Sequence, residues 1–413
     1  MELDIFPRVY PVGKNRKITI ETDGAKEVKV RIQGMEAYTV PHKTFKINED
    51  DRYPFLRAKK ENGAAFSVSC DLLSEQKYRV TVVADGEEFS FDIYALNKDL
   101  YFLKGLKGDT HLHTNMSDGE GTPFTVGINY RRKGYDFIAV TDHHKLKPSL
   151  IAQEEFSALT KDFFVFRGEE VHNHSMGYFH VINFNGEKSV NDIIDGTPEV
   201  FEKEVGKIEK SLDAPNCTNK RALAYRIFIS DRIREFGGVS VLAHPFWDAY
   251  GEYNAETEDV KYLLRGGYFD AVEVFAGNDH NFNGDNLMSA LFSDLKAEGV
   301  KVGFVGCSDA HSETDETSLF NKVFTVAFAK DFSDVPNAIK EGRTVAVQYR
   351  GEGDFWVFGT YRLVKYARFL LSEYFTRYEK LCVKHADALL MKDKEQISVA
   401  EDKIKEFKKR FFA

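Results

Sequence analysis

Histidine is concentrated in one half of this 413-residue chain. Ten of its twelve histidines lie between residues 111 and 311. Four segments in that region run from an apolar stretch directly into side chains that can bind metal: His111 and His113, Asp142 to His144, His244, and Asp309 with His311. Imidazole suits zinc and other first-row ions, and carboxylates can bridge two ions and neutralise their charge. The clustering therefore predicts a metal centre.

The spacing within these segments adds detail. His111 and His113 are two residues apart in DTHLHT, so in an extended segment both imidazoles project to the same side and can bind one ion. An HxH pair on its own is common, but here His244 follows in GGVSVLAHP, and VGFVGCSDAH ends the series. Functional groups gather at the carboxyl ends of parallel strands, so we expect these side chains to converge.

The elements that would position them alternate between strands and helices from about residue 101 to 330. The predicted strands are short apolar runs, as strands covered on both faces should be: Phe137–Thr141, Phe163–Phe166, Val239–Ala243, Ala271–Phe275 and Val302–Val305. The predicted helices have apolar residues at three- and four-residue spacing: Arg221–Phe236 and Asp285–Glu298. This alternation indicates an α/β domain with a parallel sheet or barrel.

The flanking regions differ in pattern from this domain. Residues 1–100 contain about seven runs of period two separated by turns, which predicts a small all-β, sandwich-like domain. Residues 331–413 form a strand and helix extension, in which Gly359–Met391 has an amphipathic helical pattern. Such a terminal helix either packs in the core or forms a homodimer contact.

Composition excludes several classes of protein. The net charge of −9 argues against a broad nucleic-acid surface, which needs a basic stripe. No stretch approaches the roughly 18 consecutive apolar residues of a membrane span. Four scattered cysteines form neither a disulfide framework nor a CxxC metal site, and the start of the chain has no signal-peptide pattern. We therefore expect a cytoplasmic protein.

The order of the motifs resembles the PHP (polymerase and histidinol phosphatase) domain. DTHLHT is followed by SDG at Ser117–Gly119, then by TDHH, GEEV, AHP and SDAH, over about residues 105–315. The GEEVHNH and FHVINF segments, with a β-rich domain in front, resemble the carbaryl hydrolase-like branch. The resemblance implies a distorted (β/α)7 barrel and up to three divalent ions. These ions could be zinc, manganese or iron, because histidine-rich mixed sites accept all three.

The resemblance also implies which residues bind each ion. His111, His113 and Asp309 would hold the first, and Glu170 would bridge the first and second. The second would be completed by His180 and His244. The third would be held by Asp118, His143 and His311.

The implied chemistry is hydrolysis without a side-chain nucleophile. A hydroxide bridging two ions forms near neutral pH and attacks phosphorus, so the expected substrate is a small anionic phosphate ester. The same centre could instead hydrolyse a carbamate, a carboxylic ester or an amide. A noncatalytic metal-binding interaction module is a third alternative. The amidohydrolase barrel also opens with HxH, but TDHH and SDAH fit the PHP pattern better.

Several other residues are candidates for orienting the ligands, shaping the site or binding the substrate. Asp142 is expected to orient an imidazole, and His144 to touch the substrate or support a loop. Glu169 competes with Glu170 as the bridging carboxylate, because alternation lets only one of them point inward. Glu273, in the strand AVEVF, is placed to shape the site. The candidates for binding the substrate anion are His174, Lys145 and Arg221.

Overall fold

A computed structural model of the chain describes residues 1–36, 53–61, 63–172, 180–215, 218–249, 251–276, 282–314 and 318–412. The chain divides into two compact units. The first unit comprises Met1–Leu103, Lys365–Tyr378 and Asp402–Ala413, and the second comprises Lys104–Val364 and Glu379–Glu401. The division into domains at 1–100, 101–330 and 331–413 stays a prediction.

Nine strands lie in the first unit. They are β1 (Leu3–Phe6), β2 (Val9–Pro11), β3 (Gly13–Thr22), β4 (Val28–Gly34), β5 (Leu56–Arg57), β6 (Lys59–Lys60), β7 (Ala65–Leu72), β8 (Gln76–Ala84) and β9 (Glu87–Leu96) among the residues described. They form a four-stranded sheet, β1-β3-β7-β6, and a five-stranded sheet, β2-β9-β8-β4-β5. Alternate residues such as Val80 and Val82 are fully buried, and both sheets contribute to one apolar cluster. Period-two patterning therefore builds the core of this unit.

The described part of the second unit contains thirteen strands. They are β10 (Lys104–Asp109), β11 (Phe137–Ala139), β12 (Phe164–Phe166), β13 (Gly168–Val171), β14 (Val181–Phe184), β15 (Val239–Leu242), β16 (Asp248–Ala249), β17 (Glu252–Tyr253), β18 (Ala271–Phe275), β19 (Gly303–Gly306), β20 (Val323–Ala329), β21 (Thr344–Gly351) and β22 (Asp354–Phe358). The predicted strands of the α/β region are confirmed to within one or two residues, because four of the five are fully buried runs and β12 is buried except at Phe164.

Helices connect these strands and close the chain. They are α1 (Lys98–Tyr101), α2 (Pro123–Arg132), α3 (Lys147–Ser157), α4 (Asn191–Gly196), α5 (Pro198–Ser211), α6 (Lys220–Glu235), α7 (Thr257–Arg265), α8 (Phe282–Ala297), α9 (Val335–Lys340), α10 (Tyr361–Leu370), α11 (Thr376–Leu390) and α12 (Lys394–Phe411), with a 3-10 turn at Phe332–Asp334 and a π-helical stretch at Leu371–Phe375. Within the described residues, no helix combines the length and apolar character needed to cross a membrane.

The second unit is mixed α/β. Its two main sheets have the orders β12-β11-β10-β20-β21-β22 and β13-β14-β15-β18-β19, and β16 pairs with β17. Strands β10, β11 and β12 run parallel, as do β15, β18 and β19, while β14 and β20 are antiparallel to their neighbours. Among the residues described, strand hydrogen bonds form two sheets and do not close one ring.

The C-terminal helical pattern is confirmed, but it is divided into α10, the π-helical stretch and α11. Most of its apolar face is buried within this chain, including Tyr366, Leu370 and Leu389. Core packing, the first of the two alternatives for this segment, therefore accounts for the pattern. A homodimer through this segment stays a prediction.

Candidate metal centre

The segments that follow β10, β11 and β19 remain paired beyond the ends of the strands. The Asp309 N–H donates to the His111 carbonyl at 2.9 Å, and the Thr141 N–H donates to Leu112 at 2.9 Å. The Glu170 N–H donates to Thr141 at 3.1 Å. These bonds hold the segments side by side, so that their side chains meet over one edge of the two sheets.

His180 reaches this edge by a different route. It directly precedes β14, which runs antiparallel to β13 and β15, so the start of β14 lies where its neighbours end. The His180 Nδ1 lies 2.6 Å from Glu170 Oε1. The rule that ligands follow parallel strands does not predict this residue, whereas the motif resemblance does.

Glu170 lies at the centre of the cluster. Its side chain is about 1% exposed. Its Oε1 is 3.3 Å from Nε2 of both His111 and His244, and its Oε2 is 3.3 Å from His113 Nε2 and 2.8 Å from His143 Nδ1. With His180, five imidazoles surround one carboxylate, which is the arrangement expected of a bridging ligand.

Glu169 faces the other side of β13. Its carboxylate accepts hydrogen bonds from Asn183 Nδ2 at 3.1 Å, from Ser189 Oγ at 2.6 Å and from the Val190 N–H. Alternation along the strand therefore directs Glu170 to the imidazoles and Glu169 to the chain that leads into α4.

The predicted ligands fall into three overlapping groups. Within each group, the nitrogen and oxygen atoms that could bind a metal ion lie within 4.8 Å of one another. The groups are His111, His113, Glu170 and Asp309; then Glu170, His180 and His244; then His113, Asp118, His143 and His311. The structure thus brings all nine predicted residues together. It also places His113 in two groups, since its Nδ1 lies 3.6 Å from Asp118 Oδ1.

Asp118 is the most exposed carboxylate of the three, at 50% of its side chain. Its Oδ2 is 3.2 Å from His143 Nε2 and 3.4 Å from His311 Nε2. The turn that carries it lies against the HxH segment, because a Cβ on Gly119 would lie 2.7 Å from the His113 carbonyl carbon and oxygen. A side chain at position 119 would therefore push Asp118 away from its partners.

The carboxylates of the cluster favour positive charge on some of its imidazoles, including His143 and His311. Burial opposes ionisation of Glu170, yet the imidazoles of His180 and His111 hold the pKa of its carboxyl well below its usual range. Burial also disfavours a charged His143 and His311, but the facing carboxylates raise their pKa values to about 10 and about 9. Without metal, protons on these imidazoles would offset the carboxylates.

Two carboxylates support the cluster without lying at its centre. Glu273 Oε1 is 2.8 Å from His111 Nδ1, and its Oε2 accepts the His244 N–H at 2.8 Å. Asp142 was expected to orient an imidazole, but it accepts from the Thr114 N–H and hydroxyl and from Ser117 Oγ. Asp142 therefore fixes the turn that carries Asp118, and within the described ranges its carboxylate accepts from Thr114 and Ser117 rather than from an imidazole.

The candidates for substrate contact differ in position. Lys145 is exposed, and its ammonium donates to the Met116 carbonyl beside Asp118. Arg221 pairs with Glu202 and with Glu209 of α5, so its guanidinium is committed to joining α5 and α6 rather than to an anion. His174 lies outside the described residues.

His144 and His172 lie beside the ligands. Asn191 Nδ2 is 2.9 Å from both His144 Nδ1 and the His172 carbonyl, and the two rings are 3.9 Å apart between centroids. His172 also belongs to a group with His143 and His180 that could hold a metal ion. In the sequence, His172 is part of the GEEVHNH segment, but the motif resemblance assigns it no role as a ligand.

The backbone is strained at three of these segments. His144, His244 and Asp309 have positive φ angles of 59°, 21° and 50°. Residues with a Cβ adopt this region at a cost of about 1–3 kcal/mol, and such strain concentrates at functional sites. The hydrogen bonds to His244 and Asp309 described above hold these conformations in place.

Comparison with solved structures gives similarities of low identity. A two-domain protein from Bacteroides vulgatus that contains a predicted PHP-like metal-dependent phosphoesterase aligns with 60% of this chain and 66% of its own, at 18% identity and a TM-score of 0.42. A protein from Bifidobacterium adolescentis, described as a metal-dependent phosphoesterase, aligns with 52% of this chain and 91% of its own, at 17% identity and a TM-score of 0.34.

An amidohydrolase from Chromobacterium violaceum aligns with 51% of this chain and 89% of its own, at 16% identity and a TM-score of 0.34. The alignment spans just under two thirds of the length of the Bacteroides protein. No family model and no curated protein matches the chain.

Proposed function

We propose that this chain is a metal-dependent phosphoesterase of the PHP type. The observation that carries the proposal is the position of Glu170, a buried carboxylate surrounded by five imidazoles and shared by two of the three candidate ligand groups. The motif order along the chain supports the same assignment.

The donor set fits divalent ions. His111 faces Glu273 through Nδ1, so its Nε2 lone pair faces Glu170 Oε1 at 3.3 Å and Asp309 Oδ1 at 3.1 Å. A nitrogen lone pair and the carboxylate oxygen that it faces repel each other unless a cation or a proton lies between the two atoms. Ligands about 2.0–2.1 Å from a zinc ion in a tetrahedron are about 3.3 Å apart, which matches these separations.

Three sites follow, for zinc, manganese or iron. His111, His113, Glu170 and Asp309 would hold the first ion, and Glu170 with His180 and His244 the second. Asp118, His143 and His311 would hold the third. When bound, the ions supply Lewis-acid activation of water and of the scissile ester. No side-chain nucleophile is needed, because water is the attacking group.

The chain's own residues bind and orient the substrate. The carboxylates and imidazoles hold the ions that attract an anionic group, and Lys145 adds an exposed cation beside the Asp118 turn. His144, whose Nδ1 contacts Asn191, is the neighbouring candidate for contact with the substrate. Together these residues favour a small anionic phosphate ester over a neutral molecule.

We also infer that the two main sheets of the second unit form the distorted (β/α)7 barrel. Thr325 Oγ1 donates to the Gly306 carbonyl at 2.8 Å and accepts the Gly306 N–H at 2.9 Å, which connects β20 with β19. Thr344 Oγ1 donates to Phe304 at 2.8 Å. At the other edge, only Arg167 separates β12 from β13. The carbaryl hydrolase-like branch and the cytoplasmic location stay predictions.

The proposed function is tested by a hydrolysis panel. Purified, metal-reconstituted protein is assayed with a phosphate monoester, a phosphodiester, an aryl carbamate and a carboxylic ester, and His244→Ala is the control. We expect phosphate ester cleavage that the control lacks, because His244 contacts the shared carboxylate.

Other outcomes of the panel would contradict the proposal. Cleavage of the carbamate or carboxylic ester alone would move the chemistry from phosphorus to carbon on the same centre. Phosphate ester cleavage that persists in His244→Ala would remove the activity from this cluster. Metal binding without any hydrolysis would favour the noncatalytic module.

A further inference from the structure

We propose that Glu273 is a positioning residue that sets the tautomer of His111 and holds it in register with His244. The inference rests on the proposed function, since it concerns the same cluster. Glu273 lies within β18, and its side chain is fully buried. Its two oxygens contact the two histidines separately, Oε1 at His111 Nδ1 and Oε2 at the His244 N–H, each at 2.8 Å.

The first contact determines which nitrogen of His111 is available. A buried carboxylate at 2.8 Å from Nδ1 accepts a hydrogen bond, so the proton of the neutral ring is on Nδ1. The lone pair is then on Nε2, which faces Glu170 and Asp309. Glu273 therefore presents the correct atom of His111 to the cluster.

The same geometry argues against Glu273 as a ligand of a further ion. The possible ligand atoms of His111, His244 and Glu273 do lie within 4.8 Å of one another. Glu273 Oε1 lies 2.8 Å from His111 Nδ1 and accepts its hydrogen bond. Oε2 accepts the His244 N–H. An ion at Nδ1 would also require the opposite tautomer of His111.

The second contact links two ligand groups. His111 belongs to the group completed by Asp309, and His244 to the group completed by His180. The His244 backbone has a positive φ of 21°, and its N–H is held by Glu273. The Glu273 carboxylate thus fixes the ring of His111 and the strained backbone of His244, so the Nε2 atoms of both histidines face Glu170.

Glutamine cannot replace this carboxylate. Its amide has one acceptor oxygen and one donor NH2, whereas Glu273 accepts from two N–H groups. If the oxygen faces His244, the NH2 faces His111 Nδ1 and favours the tautomer with its proton on Nε2. If the oxygen faces His111, the NH2 opposes the His244 N–H. Either orientation disturbs a ligand.

The test measures metal binding without substrate. Co²⁺ alone is titrated into metal-free wild type, Glu273→Gln and Asp285→Asn, with affinity and the visible absorption spectrum as readouts. Loss of a carboxylate that orients a ligand weakens metal binding by about 10–100-fold, so we expect this loss and a changed spectrum in Glu273→Gln.

Asp285→Asn is the matched control. Asp285 is also buried, burial raises its pKa to about 7, and it accepts hydrogen bonds from the Ala276 N–H and from Gln348. It contacts none of the nine candidate ligands in the described structure, so we expect wild-type affinity and spectrum. An equal loss in this control would overturn the proposal, because any buried carboxylate would then have the same effect.

Wild-type Co²⁺ affinity and spectrum in Glu273→Gln would also overturn the proposal. Should that variant not fold, Glu273→Asp keeps the charge but is one methylene shorter and cannot reach both partners. Weaker binding by about tenfold or more supports the inference, and wild-type binding by Glu273→Asp overturns it. Failure of the wild type to bind Co²⁺ would instead contradict the proposed function. Failure of the proposed function is thereby distinguished from failure of the inference about Glu273.

Discussion

Glu170→Gln is expected to abolish phosphate ester hydrolysis and to lower the metal content of the protein. The carboxylate is shared by two ligand groups, so its loss removes an anionic ligand from both. Metal ions contribute several kcal/mol of charge stabilisation in the transition state, and about 4 kcal/mol corresponds to about a 10³-fold decrease in rate. The measurements are kcat/KM and metal content by elemental mass spectrometry.

Glu169→Gln is the matched control for this variant. The two glutamates are adjacent, both are fully buried, and the same atom is changed, but Glu169 binds Asn183 and Ser189 rather than imidazoles. We expect the control to retain metal and activity, with some loss of thermal stability from the altered hydrogen bonds. Near-normal activity in Glu170→Gln, or equal losses in both variants, would contradict the bridging position of Glu170.

Removal of metal is expected to lower the melting temperature, and by more at higher pH. Ligands that bind only the folded state stabilise it by about 2.7 kcal/mol at a free concentration 100 times Kd. In the ion-free protein, protons on His143 and His311 take the place of the ions, since the facing carboxylates, outweighing burial, raise their pKa values to about 10 and about 9.

The direction of the pH effect follows from these values. Both histidines have an ordinary value of 6.5, so their protons stabilise the folded, ion-free protein fully below that pH. This contribution is lost as the pH rises towards 9 and 10. Bound ions are retained over the same range, because their ligands bind in the deprotonated form.

Melting of chelator-treated and metal-loaded protein should therefore diverge between pH 6.5 and 9. Differential scanning calorimetry at several pH values measures the gap. A gap that narrows with rising pH, or a chelator without any effect on melting, would contradict metal binding at this cluster.

The sequence was sufficient to locate the cluster. A short apolar run is a local feature of the sequence, so buried strands such as β15 and β18 could be placed from the sequence alone. Alternation within GEEV left one inward-facing glutamate. The convergence of His111 and Asp309 followed from strand ends meeting at one edge of a sheet. The antiparallel direction of β14 depends on pairing over a long sequence distance, which the run itself does not encode.

Partners of single side chains were harder to predict. Asp142 precedes a candidate ligand in sequence, yet its hydrogen bonds go to Thr114 and Ser117, about 25 residues earlier. Arg221 looked available for an anion, but helix packing brings Glu202 to it. Such contacts depend on the tertiary arrangement of two elements, and neither residue carries a local signal of its partner.

Divalent ions are expected to bind around Glu170, and anomalous diffraction tests this binding most directly. Crystals of the protein grown with Zn²⁺ or Mn²⁺ would be measured on both sides of the metal absorption edge. We predict anomalous peaks within about 2.0–2.5 Å of Glu170 oxygens, flanked by His111 on one side and His244 on the other. Metal-loaded crystals with no peak at Glu170 would contradict the account.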